Sequence, residues 1–286
     1  MNSTAANVEE KMEATGPDGF RVSKPQSSPI GNHTLETVIL IAYLAAIAFG
    51  EVLTIIGNLS AGLTVYLFLL LLLPAHASIA SSDRPKFSRL LIALMLAPLL
   101  RILSLFLRFW HFTPLQGLSV MSLPLIAGCF VVIRALGLRP VEVGLRIMPI
   151  RNLMWQVLVG AIGIPLGLVE YSILKPAGWI DDGSIETAIL ALFAILVSTG
   201  IAEELIFRGI MQRCASDMWG NFGILCPAML YMIFSFYSGS LLDIVFVLLI
   251  ALLFGLVVKK TGSLVGVIAA HTLVNVMSYM ILPRLF

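Results

Sequence analysis

The sequence predicts an all-α protein, a polytopic transmembrane helix bundle of about nine spans, with eight as the alternative count. Of the 286 residues, 59% are hydrophobic and only 12% are charged, whereas an average soluble domain has about 25% charged residues. Apolar stretches of eighteen or more residues recur along the chain, and each is long enough for a helix to cross a bilayer. This composition excludes a soluble enzyme, a nucleic-acid-binding domain and a disulfide scaffold.

The chain divides into three predicted regions. Residues 1–33 are rich in Ser, Pro, Gly and charged residues without a hydrophobic period, so we expect a disordered cytoplasmic tail. Residues 34–150 should form N-terminal transmembrane helices, and residues 151–286 should form a second transmembrane domain. The nine apolar spans are expected at residues 36–56, 59–77, 87–107, 117–133, 153–174, 186–207, 222–238, 241–258 and 263–282.

Lysine and arginine residues predict the orientation of this bundle. With the N-terminus in the cytoplasm and alternating spans, fourteen of them fall in cytoplasmic segments and three in outer segments. The outer three are Arg108, Lys175 and Arg284, and Arg101 lies within the third span. Because Lys and Arg concentrate in cytoplasmic loops, we expect an integral protein of the plasma membrane with a cytoplasmic N-terminus and an external C-terminus.

Isolated charges inside the apolar spans have structural explanations. A charge at the centre of a membrane helix costs roughly 2.5–3.5 kcal/mol, so each needs a compensating contact. Glu51, Glu170 and Arg101 lie towards span ends, where snorkelling or one interhelical partner would suffice. Asp243 follows Ser240 by three residues, which is the spacing of a helix capping box.

The sixth span is different, because Glu203, Glu204 and Arg208 fall within six residues of an otherwise apolar helix. Glu204 and Arg208 are four residues apart and can pair on one helix face. Glu203 has no local partner, so it must find a distant one, take up a proton or hold a water molecule. Such a carboxylate is suited to general-base work. The alternative is a structural network of ion pairs at the helix end.

The ninth span contributes His271 and Asn275, which are four residues apart and share a helix face. Both side chains offer hydrogen-bond donors that can converge on one developing oxyanion. The alternative is that His271 is a satisfied packing residue.

These two motifs, in this order and near the C-terminus, resemble the CAAX-protease and bacteriocin-processing family of intramembrane proteases. The first motif of that family, two Glu residues followed by Arg, matches Glu203, Glu204 and Arg208. Its last motif, His and then Asn four residues later, matches His271 and Asn275. The resemblance covers roughly residues 152–286, so the region 151–286 is expected to be a CAAX-protease-like transmembrane domain.

The sequence departs from the family between these motifs. The family has an aromatic residue followed four positions later by His, whereas this chain has Ser at the second position in either register. The preferred register pairs Tyr231 with Ser235, and the other pairs Phe234 with Ser238.

The resemblance implies a role for each matched position. Glu203 would activate the water that attacks the scissile carbonyl, and His271 and Asn275 would stabilise the tetrahedral oxyanion. Arg208 and Glu204 would orient the site. Ser235 would stand where the family's His assists the water or protonates the leaving amine, and losing such a group typically costs 10²–10⁴-fold in rate. With His271 as the single His at the site, we expect no catalytic zinc and no cofactor.

Three functions follow as hypotheses. The first is an intramembrane endopeptidase that processes a membrane-bound protein or peptide, lipidated or not, near its C-terminus or at a juxtamembrane site. The second is a catalytically silent family member that acts as a membrane binding or scaffold protein. The third is a small transporter, which the span count alone favours. The bilayer is a partner in each, and nucleic acid is not.

Overall fold

The structure is a computed structural model that describes residues 33–109, 112–146, 150–180 and 184–286. The predicted tail, residues 1–33, lies outside these ranges except for its last residue. The chain divides into two compact units, residues 1–40 and 41–286. The described part of the first unit is the beginning of the first helix, and the candidate site lies in the second unit.

The described residues are helical and contain no β-strand, which confirms the predicted all-α class. The α-helices are α1 (Thr34–Ile55), α2 (Leu59–Ala80), α3 (Pro85–Leu94), α4 (Leu96–Phe109), α5 (Pro114–Ala135), α6 (Ile150–Ala161), α7 (Gly163–Leu174), α8 (Ile185–Ile195), α9 (Gln212–Trp219), α10 (Leu225–Phe234), α11 (Leu241–Thr261), α12 (Val265–Val276) and α13 (Leu282–Leu285). The π-helical segments are Leu196–Glu203, Leu205–Met211 and Met277–Ile281, and the 3₁₀ turns are Gly220–Ile224 and Ser235–Ser238.

Local capping signals explain where several helices begin. The side chain of Asn58 accepts a hydrogen bond from the backbone N–H of Ala61 at the start of α2. Thr113 and Gln116 form a complete capping box at the start of α5. Gly57, just before Asn58, has φ of +88°, a conformation that favours glycine. The predicted division between the first two spans is therefore confirmed.

Eight helical stretches among the described residues are long and apolar enough to cross a membrane. All nine predicted spans lie in helix, and the difference in count comes from Ile185–Ser238, a stretch of 54 residues that contains both the sixth and the seventh predicted spans. The seventh consists of a 10-residue α-helix and a 4-residue 3₁₀ turn. These cover about 23 Å, which is less than the ~30 Å of bilayer hydrocarbon.

The Ile185–Ser238 stretch is folded back on itself. Glu203 and Tyr231 are 28 residues apart in sequence, yet their side chains are hydrogen bonded at 3.2 Å. In a straight helix they would be separated by roughly 42 Å. The reversal occurs at the turn Gly220–Ile224, where Gly220 has φ of +56°. The seventh predicted span is therefore a short returning leg packed against the sixth.

Glycine residues bring α12 close to its neighbours. A Cβ atom on Gly163 of α7 would lie 2.2 Å from the carbonyl oxygen of Ala270. A Cβ atom on Gly200 of the sixth span would lie 2.3 Å from the Thr272 Oγ1 atom. Such small residues allow helix backbones in membranes to approach closely. The close approach holds the face of α12 that carries His271 against the sixth span.

Buried charges in the other helices have interhelical partners, as predicted. The Glu51 carboxylate is fully buried and forms an ion pair with Arg101. Tyr66 donates a second hydrogen bond to Glu51. The Ser278 hydroxyl donates to Glu170 Oε2 at 2.8 Å. These contacts supply the compensation that a charge inside an apolar span requires.

The predicted capping box at the start of α11 is only half formed. The Ser240 Oγ atom accepts a hydrogen bond from the backbone N–H of Asp243 at 3.3 Å. In a complete box the acid would bind the backbone N–H of the capping residue in return. That N–H of Ser240 instead donates to Ser238 Oγ at 3.3 Å. The Asp243 carboxylate is therefore not used as a cap.

Candidate active site

The first motif lies on the two π-helical segments of the sixth span. The hydroxyls of Ser198 and Thr199 donate to the carbonyl oxygens of Ala194 and Ile195, at 2.5 and 2.8 Å. Hydroxyls bound in this way compete with the normal helical N–H donors and disturb helix geometry. Short π-helical segments inside α-helices frequently occur at functional sites. The local sequence thus widens the helix where Glu203 begins the charged motif.

Glu204 is the hub of a buried ion-pair network. Its side chain is fully buried. Arg208 Nη1 donates to Glu204 Oε1 at 2.9 Å, which confirms the predicted pairing. The His271 Nδ1 atom lies 2.8 Å from the same carboxylate oxygen. One carboxylate therefore fixes both the guanidinium of its own helix and the imidazole of α12.

Asn275 connects α12 to the sixth span at a second point. Its Nδ2 atom donates to the Thr199 Oγ1 atom at 2.9 Å. His271 and Asn275 are both buried on the face of α12 that packs against the sixth span. The structure therefore brings the first and last motifs together, although their sequences are separated by more than sixty residues.

Tyr231 bridges the two motifs. Its hydroxyl lies 3.2 Å from Glu203 Oε2 and 3.1 Å from His271 Nε2. The Arg208 guanidinium lies 4.9 Å from the centre of the Tyr231 ring, and the Phe207 ring meets it edge-to-face at 5.0 Å. From the sequence, Tyr231 was predicted only as the aromatic residue of the middle motif. Its phenol oxygen, which a Phe would lack, is the feature that could have indicated this role.

Ser235 lies beside this chain of groups but does not join it. It is buried at the end of α10, where its hydroxyl donates to the carbonyl oxygen of Met232 at 2.8 Å. It lines the same cavity as Glu203 and His271, and among the described residues Ser238 does not. The phenol of Tyr231, rather than the hydroxyl of Ser235, occupies the space between the motifs.

A cavity of about 250 Å³ opens next to these side chains. Its wall includes every site residue predicted from the sequence together with Tyr231. The predicted residues are Glu203, Glu204, Arg208, Ser235, His271 and Asn275. The Glu204 Oε2 and Arg208 Nη2 atoms are buried and have no hydrogen-bond partner within the described part of the chain. The cavity thus offers a carboxylate base, an imidazole and unsatisfied polar atoms in one enclosed space.

The acid and imidazole groups here are arranged for proton transfer. Among the described residues, no group of three or more His, Cys, Asp or Glu side chains is arranged to hold a metal ion. Glu204 is already shared between Arg208 and His271. Glu203 and His271 are instead joined through a hydroxyl, an arrangement in which a proton can pass between them.

Residues 185–277 match the family model of type II CAAX prenyl endopeptidase Rce1-like proteins. This region therefore resembles a CAAX-protease domain. The match begins at the first residue of α8, ends just after α12, and contains both charged motifs with Tyr231 between them. The match covers about a third of the chain.

With eight apolar helical stretches among its described residues and a match to the CAAX prenyl endopeptidase family over residues 185–277, this chain is an integral membrane protein. No curated protein and no solved structure matched the chain.

Proposed function

We propose that the chain is an intramembrane endopeptidase in which Glu203 activates the attacking water. The single observation that carries this proposal is the continuous series of contacts from Glu203 through Tyr231 and His271 to Glu204. Each contact is between 2.8 and 3.2 Å, within the range of a hydrogen bond. A base linked in this way can pass on the proton that it takes from water.

The hydrogen-bonded series of Glu203, Tyr231, His271 and Glu204 has two possible protonation states, because its protons are few. A phenol has one proton to donate. If Tyr231 donates it to Glu203, then His271 must be doubly protonated and donate to the phenol oxygen. If Glu203 is protonated, it donates to the phenol oxygen, and Tyr231 donates to a neutral His271. The two states differ only in which end holds the shared proton.

The proposed reaction uses this exchange in two steps. Glu203 takes a proton from water as the water oxygen bonds to the scissile carbonyl carbon. The C–N bond then breaks as the leaving nitrogen takes a proton from the Glu203–Tyr231–His271 series. Tyr231 thereby performs the proton transfer that the resemblance assigns to a histidine absent from this sequence.

The tetrahedral oxyanion needs donors beside the reacting carbon. Asn275 uses one N–H on Thr199, and its second N–H can serve this purpose. When doubly protonated, His271 can share its Nε2 N–H between the phenol oxygen and the oxyanion, so the series stays intact. Glu204 holds the imidazole by its Nδ1 atom, and Arg208 neutralises Glu204. These two residues have positioning roles.

The substrate of the proposed reaction is a membrane-bound protein or peptide, lipidated or not. Cleavage occurs near its C-terminus or at a juxtamembrane site. The functional domain comprises residues 151–286, in a plasma-membrane protein whose N-terminus is cytoplasmic. Support comes from the family match within this region and from the enclosed cavity next to Glu203.

The test is cleavage of membrane-anchored peptides, with and without a C-terminal prenyl group, by the full chain in lipid nanodiscs. Glu203→Gln should abolish cleavage, and Tyr231→Phe should reduce kcat by about 10²-fold or more, because a proton-transfer group is lost. Tyr43→Phe is the matched control, since the Tyr43 hydroxyl contacts His76 at 2.8 Å away from the cavity. That variant should retain wild-type cleavage.

The rival function is a catalytically silent scaffold, which the Ser at position 235 favours. It would replace our proposal if wild-type protein cleaves none of the peptides while Glu203→Gln still disrupts a complex with a membrane partner.

A further inference from the structure

The cavity continues beyond the reacting groups to a second cluster, which we call the acid–aromatic subsite. Its five members all line the cavity wall. They are Glu170, Trp179, Tyr237, Asp243 and Tyr279. They come from α7 and the segment after it, the 3₁₀ turn after α10, the first turn of α11 and the last π-helical segment. None of them belongs to the motifs that carry the proposed reaction.

Asp243 is the strongest indication that this subsite takes a ligand. Its side chain is only 3% exposed, and its Oδ1 atom has no hydrogen-bond partner among the described residues. Its carboxylate also interacts with the Ser238 hydroxyl. The reciprocal cap that would occupy the carboxylate is absent, because Ser240 N–H is bound to Ser238. An unpaired, buried carboxylate oxygen on a side chain that lines a cavity is costly unless something binds it.

The charges around the cavity are unbalanced. Four carboxylates and two guanidiniums line its wall. Arg101 is neutralised by Glu51, which lies outside the cavity wall, and Arg208 is neutralised by Glu204. The carboxylates of Glu170, Glu203 and Asp243 therefore have no Lys or Arg partner in the wall. With all four carboxylates ionised, the described wall is net negative even when His271 carries a positive charge.

The aromatic rings add a surface that also favours a cation. Trp179 and Tyr279 are stacked, with ring centres 4.2 Å apart and an angle of 19° between the ring planes. Glu170 and Asp243 line the same cavity as these rings. Lysine, arginine and quaternary ammonium groups bind to aromatic faces, and most strongly to Trp. Two carboxylates beside such faces attract a cation both by charge and by ring contact.

We propose that the acid–aromatic subsite binds a basic side chain, Lys or Arg, of the peptide whose backbone reaches Glu203. This inference rests on the proposed endopeptidase function and names its substrate class. A peptide side chain is favoured over other cations because the subsite and the Glu203 water position share one continuous cavity.

The geometry also sets the distance between the basic residue and the cleaved bond. His271 and Tyr279 are eight positions apart along the last span, which corresponds to roughly 12 Å. An extended peptide advances by about 3.3 Å per residue. The basic residue should therefore lie about three or four positions from the scissile bond.

The test measures binding, so that it does not depend on cleavage. The full chain in phosphatidylcholine nanodiscs is titrated with a fluorescent apolar membrane peptide that contains one Lys, or norleucine at the same position. The Lys peptide should bind wild-type protein at least tenfold more tightly. Asp243→Asn and, separately, Glu170→Gln should bring the ratio close to one. Asp217→Asn, which removes a carboxylate from the peripheral pair with Arg213, should leave it unchanged.

If something other than a basic side chain of the peptide occupies the acid–aromatic subsite, the binding measurements should differ. If the Lys preference is absent in wild-type protein, or is unaffected by both substitutions, the peptide subsite is wrong. If the substitutions instead remove phosphatidylcholine retained in native mass spectrometry, the site holds a lipid headgroup. Because Glu203→Gln keeps the acid–aromatic subsite, its Lys preference should persist even if the endopeptidase proposal fails.

Discussion

The imidazole of His271 and the carboxylate of Glu204 are 2.8 Å apart, although 67 residues separate them in sequence. This contact distinguishes the two adjacent acids of the first motif. Glu204 is fully buried, and its Oε1 atom is shared between His271 and Arg208, so this acid holds the site together. Among the described residues, Glu203 has its one side-chain hydrogen bond with the phenol of Tyr231, and it lines the cavity. The structure thus assigns the two carboxylates different surroundings.

Different surroundings predict different responses to the same substitution. Glu204→Gln leaves the Arg208 guanidinium buried without its partner, and breaking a buried ion pair costs about 3–5 kcal/mol. Glu203→Gln removes no ion pair and should leave the melting temperature close to that of wild-type protein. Thermal unfolding of both variants in the same detergent checks this. Equal losses of stability would contradict the assignment of Glu204 as the structural hub.

Ser235→His should restore the proton donor that the family has at this position. Ser235 lines the cavity near Glu203, so an imidazole there could reach the water. We expect a gain in cleavage rate of about 10²-fold, most visible in the Tyr231→Phe background, where the phenol is missing. Ser238→His is the control, since Ser238 is not part of the cavity wall among the described residues. A gain at position 238 instead would show that the other register is correct.

The larger histidine side chain at position 235 should lower the stability of the protein, so stability must be measured together with the cleavage rate. Ser235 is 5% exposed, and overpacking of a buried position typically costs about 1–3 kcal/mol. Folded yield and melting temperature therefore accompany each rate. A properly folded Ser235→His variant with no gain in either background would count against a proton-donor role at this position.

Gly200→Ala should disturb the site without touching a reacting group. The added methyl would lie 2.3 Å from Thr272 Oγ1, so either the Thr272 side chain must leave its hydrogen bond to the Ile268 carbonyl or the sixth span and α12 must separate. We expect lower stability by about 1–3 kcal/mol and weaker coupling between Glu204 and His271. Gly160→Ala is the milder control, because the nearest atom to its new methyl would be the Ala269 Cβ atom at 3.0 Å. Melting temperatures and cleavage rates of the two variants test whether Gly200→Ala has the larger effect.

The distribution of Lys and Arg predicts an external C-terminus. A reporter that is active only in the cytoplasm, fused to Phe286, should therefore give no signal. A strong signal would mean that the short leg Leu225–Ser238 turns back before crossing the bilayer. Fusion of the same reporter to the N-terminus is the matched control and should be active.

Local patterns in the sequence predicted much of this arrangement. Apolar length located the eight membrane-length stretches of the described residues but counted the short returning leg as a ninth span, and spacing along one helix predicted the pair of Glu204 and Arg208. The role of Tyr231 could not be predicted in this way, because its contacts arise only when the chain reverses at Gly220. The predicted capping box at Asp243 was half correct. The Ser240 hydroxyl binds the Asp243 N–H, but the Ser240 N–H binds Ser238, a residue outside the Ser240–Asp243 pattern. Tertiary contacts between distant residues decided both cases.

The reversal at Gly220–Ile224 also makes the site sensitive to chain length. Along an α-helix, one inserted residue rotates everything that follows by about 100°. An insertion early in Leu225–Phe234 would therefore turn the Tyr231 phenol away from Glu203 while leaving composition and hydropathy nearly unchanged. The exposed turn at residues 81–84 between α2 and α3 carries no group of the site and should tolerate changes in length. Insertions and deletions should therefore be tolerated very unequally, and the stretch from Glu203 to Tyr231 should accept the fewest.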